Sequence, residues 1–256
     1  MTRRNPTKLN RLLSAWPTGL VKTLFELRKS GYSRQLINFY VQSSWLKMIA
    51  SGAYLRFNEE PSIYGVMNAL NEQLNLSLHL GGSSALEYYG YSHYVYFNKK
   101  EIYYLYVSDS KDTVVPSWVN SLPMKINTVN KHLFKSNLAL VVKVENKIKF
   151  VISRPERAIL ELLAFVPNKY SFEFANLTIE GLQSLDPVMM QRLLEQCSSI
   201  KVKRLFLYLA EENNLACFKR LDLESIELGK GKRKIGEGGV YNKKYRLSVP
   251  LLNLES

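Results

Sequence analysis

The sequence predicts an α+β protein, a winged helix-turn-helix followed by a mixed α/β domain, and three observations carry that prediction. Apolar residues recur at helical spacing through the first 43 residues, two short apolar runs flank a Ser51-Gly52 turn directly afterwards, and from Tyr94 onward strand-like alternation sets in before helices return. At 256 residues the chain is longer than one core of ordinary size needs. The change of pattern divides it into residues 1–95, the winged helix-turn-helix, and residues 96–256, the mixed domain.

In residues 7–16, Leu9, Leu12, Leu13 and Trp16 share a helical face, and Pro17 ends the element because it has no N–H to continue the ladder. With Thr18 as cap, Leu20, Val21, Leu24, Phe25 and Leu27 continue a 3.6-residue pattern to Lys29-Ser30-Gly31, where glycine admits the left-handed conformation that closes a helix. Ser33 caps the next helix. Its Leu36, Ile37 and Tyr40 face inward and leave Arg34, Gln35, Asn38, Phe39 and Gln42 outward. Trp45 to Ile49 and Ala53 to Phe57 then read as the strands of a wing.

Ile63, Val66, Met67, Leu70 and Leu74 mark a helix over 62–76, Leu76 to Leu80 a strand, and Gly81-Gly82-Ser83 a short helix ending at Gly90. Tyr94 and Tyr96, then Ile102, Tyr104 and Tyr106, then Leu138 to Val144 and Ile148 to Ile152 alternate as an antiparallel sheet, with a hairpin at Glu145-Asn146-Lys147. Ser153 caps a helix that has Pro155 in its first turn and runs to Phe165. Further helices are expected over 179–184, 187–197 and 199–212, and short glycine-rich strands over 218–249.

Charge narrows the partners. The chain holds 35 Lys and Arg against 22 Asp and Glu, a net +13, which points to a polyanion. Residues 1–57 contribute an excess of +9, ten bases against Glu26 alone, whereas residues 151–256 carry sixteen bases against thirteen acids. No segment approaches the roughly 18 apolar residues of a membrane-spanning helix. Behind Arg3, Arg4, Lys8 and Arg11, the charges of Lys22, Glu26, Arg28 and Lys29 interrupt the apolar stretch of a signal peptide. A cytoplasmic location without membrane contact is expected. Cys197 and Cys217, with the dispersed His79, His93 and His132, form neither a disulfide framework nor a metal cluster, so buried thiols and no metal or other cofactor are expected.

A recognition helix reads base edges with directional donors and acceptors at its groove-facing end. Arg34 suits guanine, Gln35 and Asn38 suit adenine, and Phe39 suits a thymine methyl, with Ser33 and Gln42 at the ends of the same face. Lys8, Arg11, Lys47 and Arg56 are the expected phosphate contacts. A second basic patch holds Lys230, Lys232, Arg233, Lys234, Lys243, Lys244 and Arg246 beside Glu237, with Tyr241 and Tyr245 interleaved; it is either a nucleic-acid contact or a solvated hairpin. The tyrosines between 89 and 106 are expected to serve packing.

Gly81-Gly82-Ser83 is also how a nucleotidyltransferase opens its active site, but that chemistry needs two metal-holding carboxylates on the next strand. Residues 91–98 contain no acid, and Asp109 and Asp112 fall in a polar, loop-like stretch. The glycines are expected to shape a tight strand-to-helix turn, and no catalytic residue is assigned.

Leu12-Leu13-Ser14-Ala15-Trp16-Pro17, Gly31-Tyr32-Ser33-Arg34-Gln35-Leu36, Trp45-Leu46, Gly52-Ala53-Tyr54, Gly81 to Glu87 and Gly90-Tyr91 together resemble the AbiEi family of antitoxins and transcriptional regulators. Ser153 to Ala158, Val202 to Phe206 and Phe218 to Asp222 resemble the C-terminal antitoxin domain of that family. Each motif is short, and their order along nearly the whole chain makes the likeness. The resemblance implies a DNA-binding repressor of its own operon, acting on duplex DNA at the upstream operator. It also implies an antitoxin domain over 96–256 that counteracts a nucleotidyltransferase toxin of abortive infection without a stable toxin complex. Asn38, Phe39, Val41 and Gln42 stand where more basic residues are expected of the family, which leaves the operator sequence open. Cooperative self-association on DNA is also open. The alternative function is an RNA-binding or protein-binding adaptor that uses both basic regions.

Overall fold

A computed structural model describes residues 7–91, 101–108 and 113–250. Arg3, Arg4, His93, Tyr94, Tyr96, Asp109 and Asp112 lie outside the described residues. The chain forms two compact units, neither of them a single stretch of sequence: Met1–His79, Lys100–Thr128 and Val142–Val151 make one, and Leu80–Lys99, Val129–Val141 and Ile152–Ser256 make the other.

The first unit opens in the order helix, strand, helix, helix, strand, strand, which is the winged-helix order: α1 (Lys8–Ser14), β1 (Lys22–Thr23), α2 (Leu24–Lys29), α3 (Arg34–Gln42), β2 (Leu46–Ala50) and β3 (Ala53–Arg56). The strands form a sheet in the order β1-β3-β2. The expected helix from Thr18 is corrected here. Leu20 and Val21 are buried outside any helix, Lys22 and Thr23 pair as a strand with Tyr54 and Ala53, and the side chain of Thr23, not Thr18, caps α2 by accepting from the Glu26 N–H. Gln73 fixes that strand, taking the Thr23 N–H (2.8 Å) and donating to the Val21 carbonyl (2.8 Å). Five apolar residues fit either period, and these partners, distant in sequence, decide between them.

Leu12, Trp16, Leu27, Ile37, Tyr40, Leu46 and Tyr54 form one apolar cluster beneath the sheet and helices. The Trp16 Nε1 donates to the Leu20 carbonyl at 2.7 Å, which removes the cost of burying an indole N–H. The helix expected over 62–76 is α4 (Ile63–Asn68) continued by a π turn, Ala69–Gln73. Gly65 is required there, because a Cβ would stand 2.0 Å from the Gly19 carbonyl oxygen.

Strands β4 (Leu78–Leu80), β5 (Ile102–Val107), β6 (Lys125–Val129), β7 (Leu140–Glu145) and β8 (Ile148–Ser153) form a sheet ordered β6-β5-β4-β8-β7. It is mixed rather than antiparallel throughout, because β4 and β8 pair in parallel. The β7–β8 hairpin lies where the alternation places it, and Asn146 and Lys147 both take positive φ, as the tight two-residue turn between twisted strands demands. Strand β6, a marginal run of polar and β-branched residues, gives no signal of its own in the sequence.

In the second unit, α5 (Gly82–Tyr88) packs on α6 (Pro155–Leu163), which also meets α7 (Phe172–Glu180), α8 (Pro187–Gln196) and α9 (Ile200–Glu212). The helix expected over 179–184 is corrected to α7, which starts well before that stretch, at Phe172, and is capped by the Ser171 hydroxyl. Ser153 is not the cap of α6. Arg154 holds that position, and the Ser153 hydroxyl donates instead to Glu161 at 2.9 Å.

Glu161 explains the Gly81-Gly82 turn. Its carboxylate accepts from the Gly82 N–H (3.0 Å), from Ser153 and from Arg157 Nε (2.8 Å), so the protein places its own anion at the start of α5. Arg157 also donates to the Ser136 and Leu138 carbonyls and lies over the Phe134 ring. The tail folds as β9 (Arg233–Lys234), β10 (Val240–Asn242) and β11 (Leu247–Val249), a sheet ordered β10-β11-β9. Cys197 and Cys217 are free and buried, and burial pushes the Cys217 thiol up to about 11.

Candidate nucleic-acid interface

Helix α3 is held from three sides. Gly31, at φ +86°, turns the chain between α2 and α3. The Ser33 hydroxyl accepts from the Leu36 N–H at 3.2 Å, and Ile37 and Tyr40 anchor the inner face in the core. Tyr32 donates to the Lys8 carbonyl at 3.2 Å, which brings the first turn of α1 beside the start of α3. Arg34, Gln35, Asn38, Phe39 and Gln42 all point away from that core: Arg34, Gln35, Asn38 and Phe39 are exposed and Gln42 is exposed at the end of the helix. Their spacing of one, four, five and eight residues makes a single stripe. Phe39 stands 58% exposed, an unusual position for a phenyl ring in a free protein. No acidic residue lies in α3 to oppose a phosphate.

The remaining candidates separate. Lys8 and Arg11 lie on α1, Lys8 exposed. Lys47 is exposed on β2 and pairs with Glu60 at 3.0 Å. Arg56 sits opposite Leu46, at the base of the wing and away from its Ser51-Gly52 tip. Its guanidinium serves the Thr18 hydroxyl (2.9 Å), the Leu13 carbonyl (3.4 Å) and the Glu59 carboxylate, at the edge of a cleft of about 780 Å³ that Ser14 to Thr18, Asn146 and Lys147 also line. These ties use Arg56 to join α1, the α1–β1 connection and β3.

Arg28 and Lys29 escape the sequence reasoning. Both are exposed in the last turn of α2, the helix that crosses the DNA backbone in a helix-turn-helix, and Phe25 beside them is 60% exposed. In the sequence they end a helix and interrupt an apolar stretch, and charge in that element is itself the signal that was available. Lys22 is different. Its ammonium lies 5.4 Å from the Trp16 ring, and burial lowers its pKa against the opposing pull of Glu26.

In the second basic patch, Lys230, Lys232, Arg233, Lys243 and Arg246 reach solvent together with Lys234, while Lys244 pairs with Glu211. Tyr245 is buried and donates to Glu211 at 2.7 Å. Tyr241 is exposed beneath Lys232, whose Nζ lies 5.2 Å from the ring. No helix among the described residues is long and apolar enough to cross a membrane.

Comparison with known proteins adds to this geometry. Residues 5–97 match a family model described as transcriptional regulator, AbiEi antitoxin N-terminal domain, and residues 101–250 match one described as transcriptional regulator, AbiEi antitoxin, type IV TA system. None of the curated proteins matches the sequence. The fold is similar to a crystal structure of the Rv2827c protein from Mycobacterium tuberculosis, with a TM-score of 0.62 at 16% identity, over 98% of this chain and 94% of that one.

Proposed function

Because the chain belongs to the AbiEi family of transcriptional-regulator antitoxins of type IV toxin–antitoxin systems, we propose that it represses its own operon through α3 and counters a nucleotidyltransferase-type toxin through residues 96–256. The observation that carries the first half is the outward stripe of Arg34, Gln35, Asn38, Phe39 and Gln42 on a capped helix that the core holds rigidly. Arg34, Gln35 and Asn38 read base edges in the major groove, and Phe39 meets a thymine methyl. Lys8, Arg11, Lys47, Arg28 and Lys29 meet phosphates, with Arg56 acting on the wing from within. The antitoxin action is indirect, without a stable toxin complex, and needs no catalysis and no cofactor. The protein works in the cytoplasm, where its operator is.

Affinity for duplex DNA from its own upstream region, against unrelated duplex and structured RNA at several salt concentrations, tests the repressor half. Sequence-specific binding survives added salt and competitor, whereas purely electrostatic binding falls steeply. Equal affinity for both duplexes at every salt concentration overturns it. The antitoxin half is tested by growth of cells that express the adjacent toxin frame with and without this protein.

A further inference from the structure

Arg204 is 1% exposed, and no carboxylate pairs with it among the described residues. Backbone carbonyls satisfy its guanidinium: Leu228 takes Nε at 2.8 Å, Gly229 takes Nη2 at 2.9 Å, and Gly231 and Arg246 take Nη1 at 2.6 and 3.1 Å. Hydrogen bonding is thereby met by carbonyl dipoles, and no carboxylate neutralises the net charge among the described residues. Burial first, then the neighbouring charges of Arg233 and Arg246, pull the Arg204 pKa below its ordinary value, yet a guanidinium stays protonated at neutral pH. A site of positive potential lies under this loop.

The same carbonyls fix what the loop shows to solvent. In a trans peptide the C=O and the following N–H point in opposite directions. Carbonyls of residues 228, 229 and 231 turned inward therefore turn the N–H groups of Gly229, Lys230 and Lys232 outward, and none of the three donates to an acceptor among the described residues. Gly229 permits the turn with φ +63°. Arg246 braces it from behind, donating to the Lys230 carbonyl at 2.9 Å. Around these N–H groups stand Lys230, Lys232, Arg233 and Lys234, without a carboxylate partner among the described residues, and the Tyr241 ring under Lys232.

We propose that the 228–234 loop is a phosphate-binding site of the second unit, which takes the backbone of a nucleic-acid strand and stacks one unpaired base on Tyr241. Unpartnered N–H groups that fan outward can each donate to a phosphate oxygen along a strand while the surrounding cations neutralise its charge, and an exposed aromatic beside them selects an unstacked base over a closed duplex. An acidic peptide would satisfy the charge and leave Tyr241 without a role. The site goes beyond operator reading by α3 and does not depend on it.

The test uses the full chain carrying Arg34→Ala, Gln35→Ala and Asn38→Ala, so that α3 is silent, with a short labelled oligonucleotide offered as single-stranded RNA, single-stranded DNA and duplex DNA. Binding to a single strand persists, and Lys230→Gln, Lys232→Gln and Lys234→Gln together flatten the plot of log affinity against log salt by about 0.7 for each phosphate the loop no longer neutralises. Tyr241→Ala weakens single-strand binding by roughly tenfold and leaves duplex binding unchanged. In the unsubstituted protein, the amide resonances of Gly229, Lys230 and Lys232 shift on titration with the strand, a readout that depends on no variant's folding. An unchanged salt slope, unmoved amides, or equal binding of polyglutamate overturns the proposal. Failure of the unsubstituted protein to select its operator would overturn the repressor reading and leave this site standing.

Discussion

From α1 to β3 the large buried side chains are apolar or aromatic, Trp16, Leu27, Ile37, Leu46 and Leu55 among them, and the arginines and lysines of α1, α2 and α3 lie outside that core. In the second unit Glu156, Arg157, Glu161, Lys203 and Arg204 are each buried, at 1 to 4% exposure. The first unit is held by packing and leaves its charge available to a ligand. The second holds its loops with charge: Glu161 gathers Gly82, Ser153 and Arg157, Glu156 accepts from the Asp186 N–H at 2.9 Å, and Lys203 and Arg204 fasten the tail through the carbonyls of residues 227, 228, 229, 231 and 246. Net charge therefore means different things in the two places. The bases of residues 7–57 lie mostly at the surface, whereas 151–256 places five of its charged residues inside as wiring and keeps the others outside.

The largest expected effect is on that wiring. Arg204→Met leaves the carbonyls of Leu228, Gly229 and Gly231 without a donor, that of Arg246 keeping the Arg233 N–H, and should lower unfolding stability by about 4 kcal/mol, with faster proteolysis within 228–246. Denaturant titration with limited digestion measures both, and a loss under about 1 kcal/mol would break the contrast between the units. Glu161→Gln should follow at about 3 kcal/mol, since Arg157 keeps its two carbonyl acceptors but loses its counter-charge.

The winged helix should respond in the opposite sense. Arg34→Ala is expected to leave the melting temperature unchanged while costing about 1 to 3 kcal/mol on operator DNA and much less on unrelated duplex. Equal losses on both duplexes would reduce Arg34 to a phosphate contact.

The smallest effect lies where the second unit's charge reaches the surface. Burial raises the Glu211 carboxyl pKa, but hydrogen bonds from Lys244 and Tyr245 outweigh it and hold the group below its ordinary value. A carboxyl depressed in the folded state stabilises above its unfolded pKa, and that contribution is lost as pH falls through the carboxylate range. Solvent screening at this exposed pair limits it to at most about 1 kcal/mol. Melting curves of the native protein and Glu211→Gln should differ at neutral pH and converge in acid; a gap that persists in acid would show that Glu211 acts through packing.

Several motifs that carry the family resemblance turn out to be fastenings. Trp16 closes onto Leu20, Gly82 onto Glu161, Arg157 onto Ser136 and Leu138, and Arg204 onto the tail. Their residue types are legible in the sequence, but their partners lie four to 79 residues away, and a motif does not name its partner. For the same reason the sequence misplaces the cap of α6. A serine before Pro155 looks like an N-cap until Glu161 competes for its hydroxyl.

The sequence by itself determined the winged helix, the inward and outward faces of α3, the β7–β8 hairpin and the basic character of both regions. Those features follow from periodicity, local turn chemistry and charge, all of which act within a few residues. Only the tertiary structure decided that Lys22 and Thr23 form a strand, that β4 and β8 run parallel, and that Arg56 ties the wing to α1. It also decided that the carbonyls around Arg204 turn the N–H groups of the 228–232 loop to solvent. Each of these depends on which distant group satisfies a buried donor, acceptor or charge, and burial makes that choice nearly obligatory once the chain has folded.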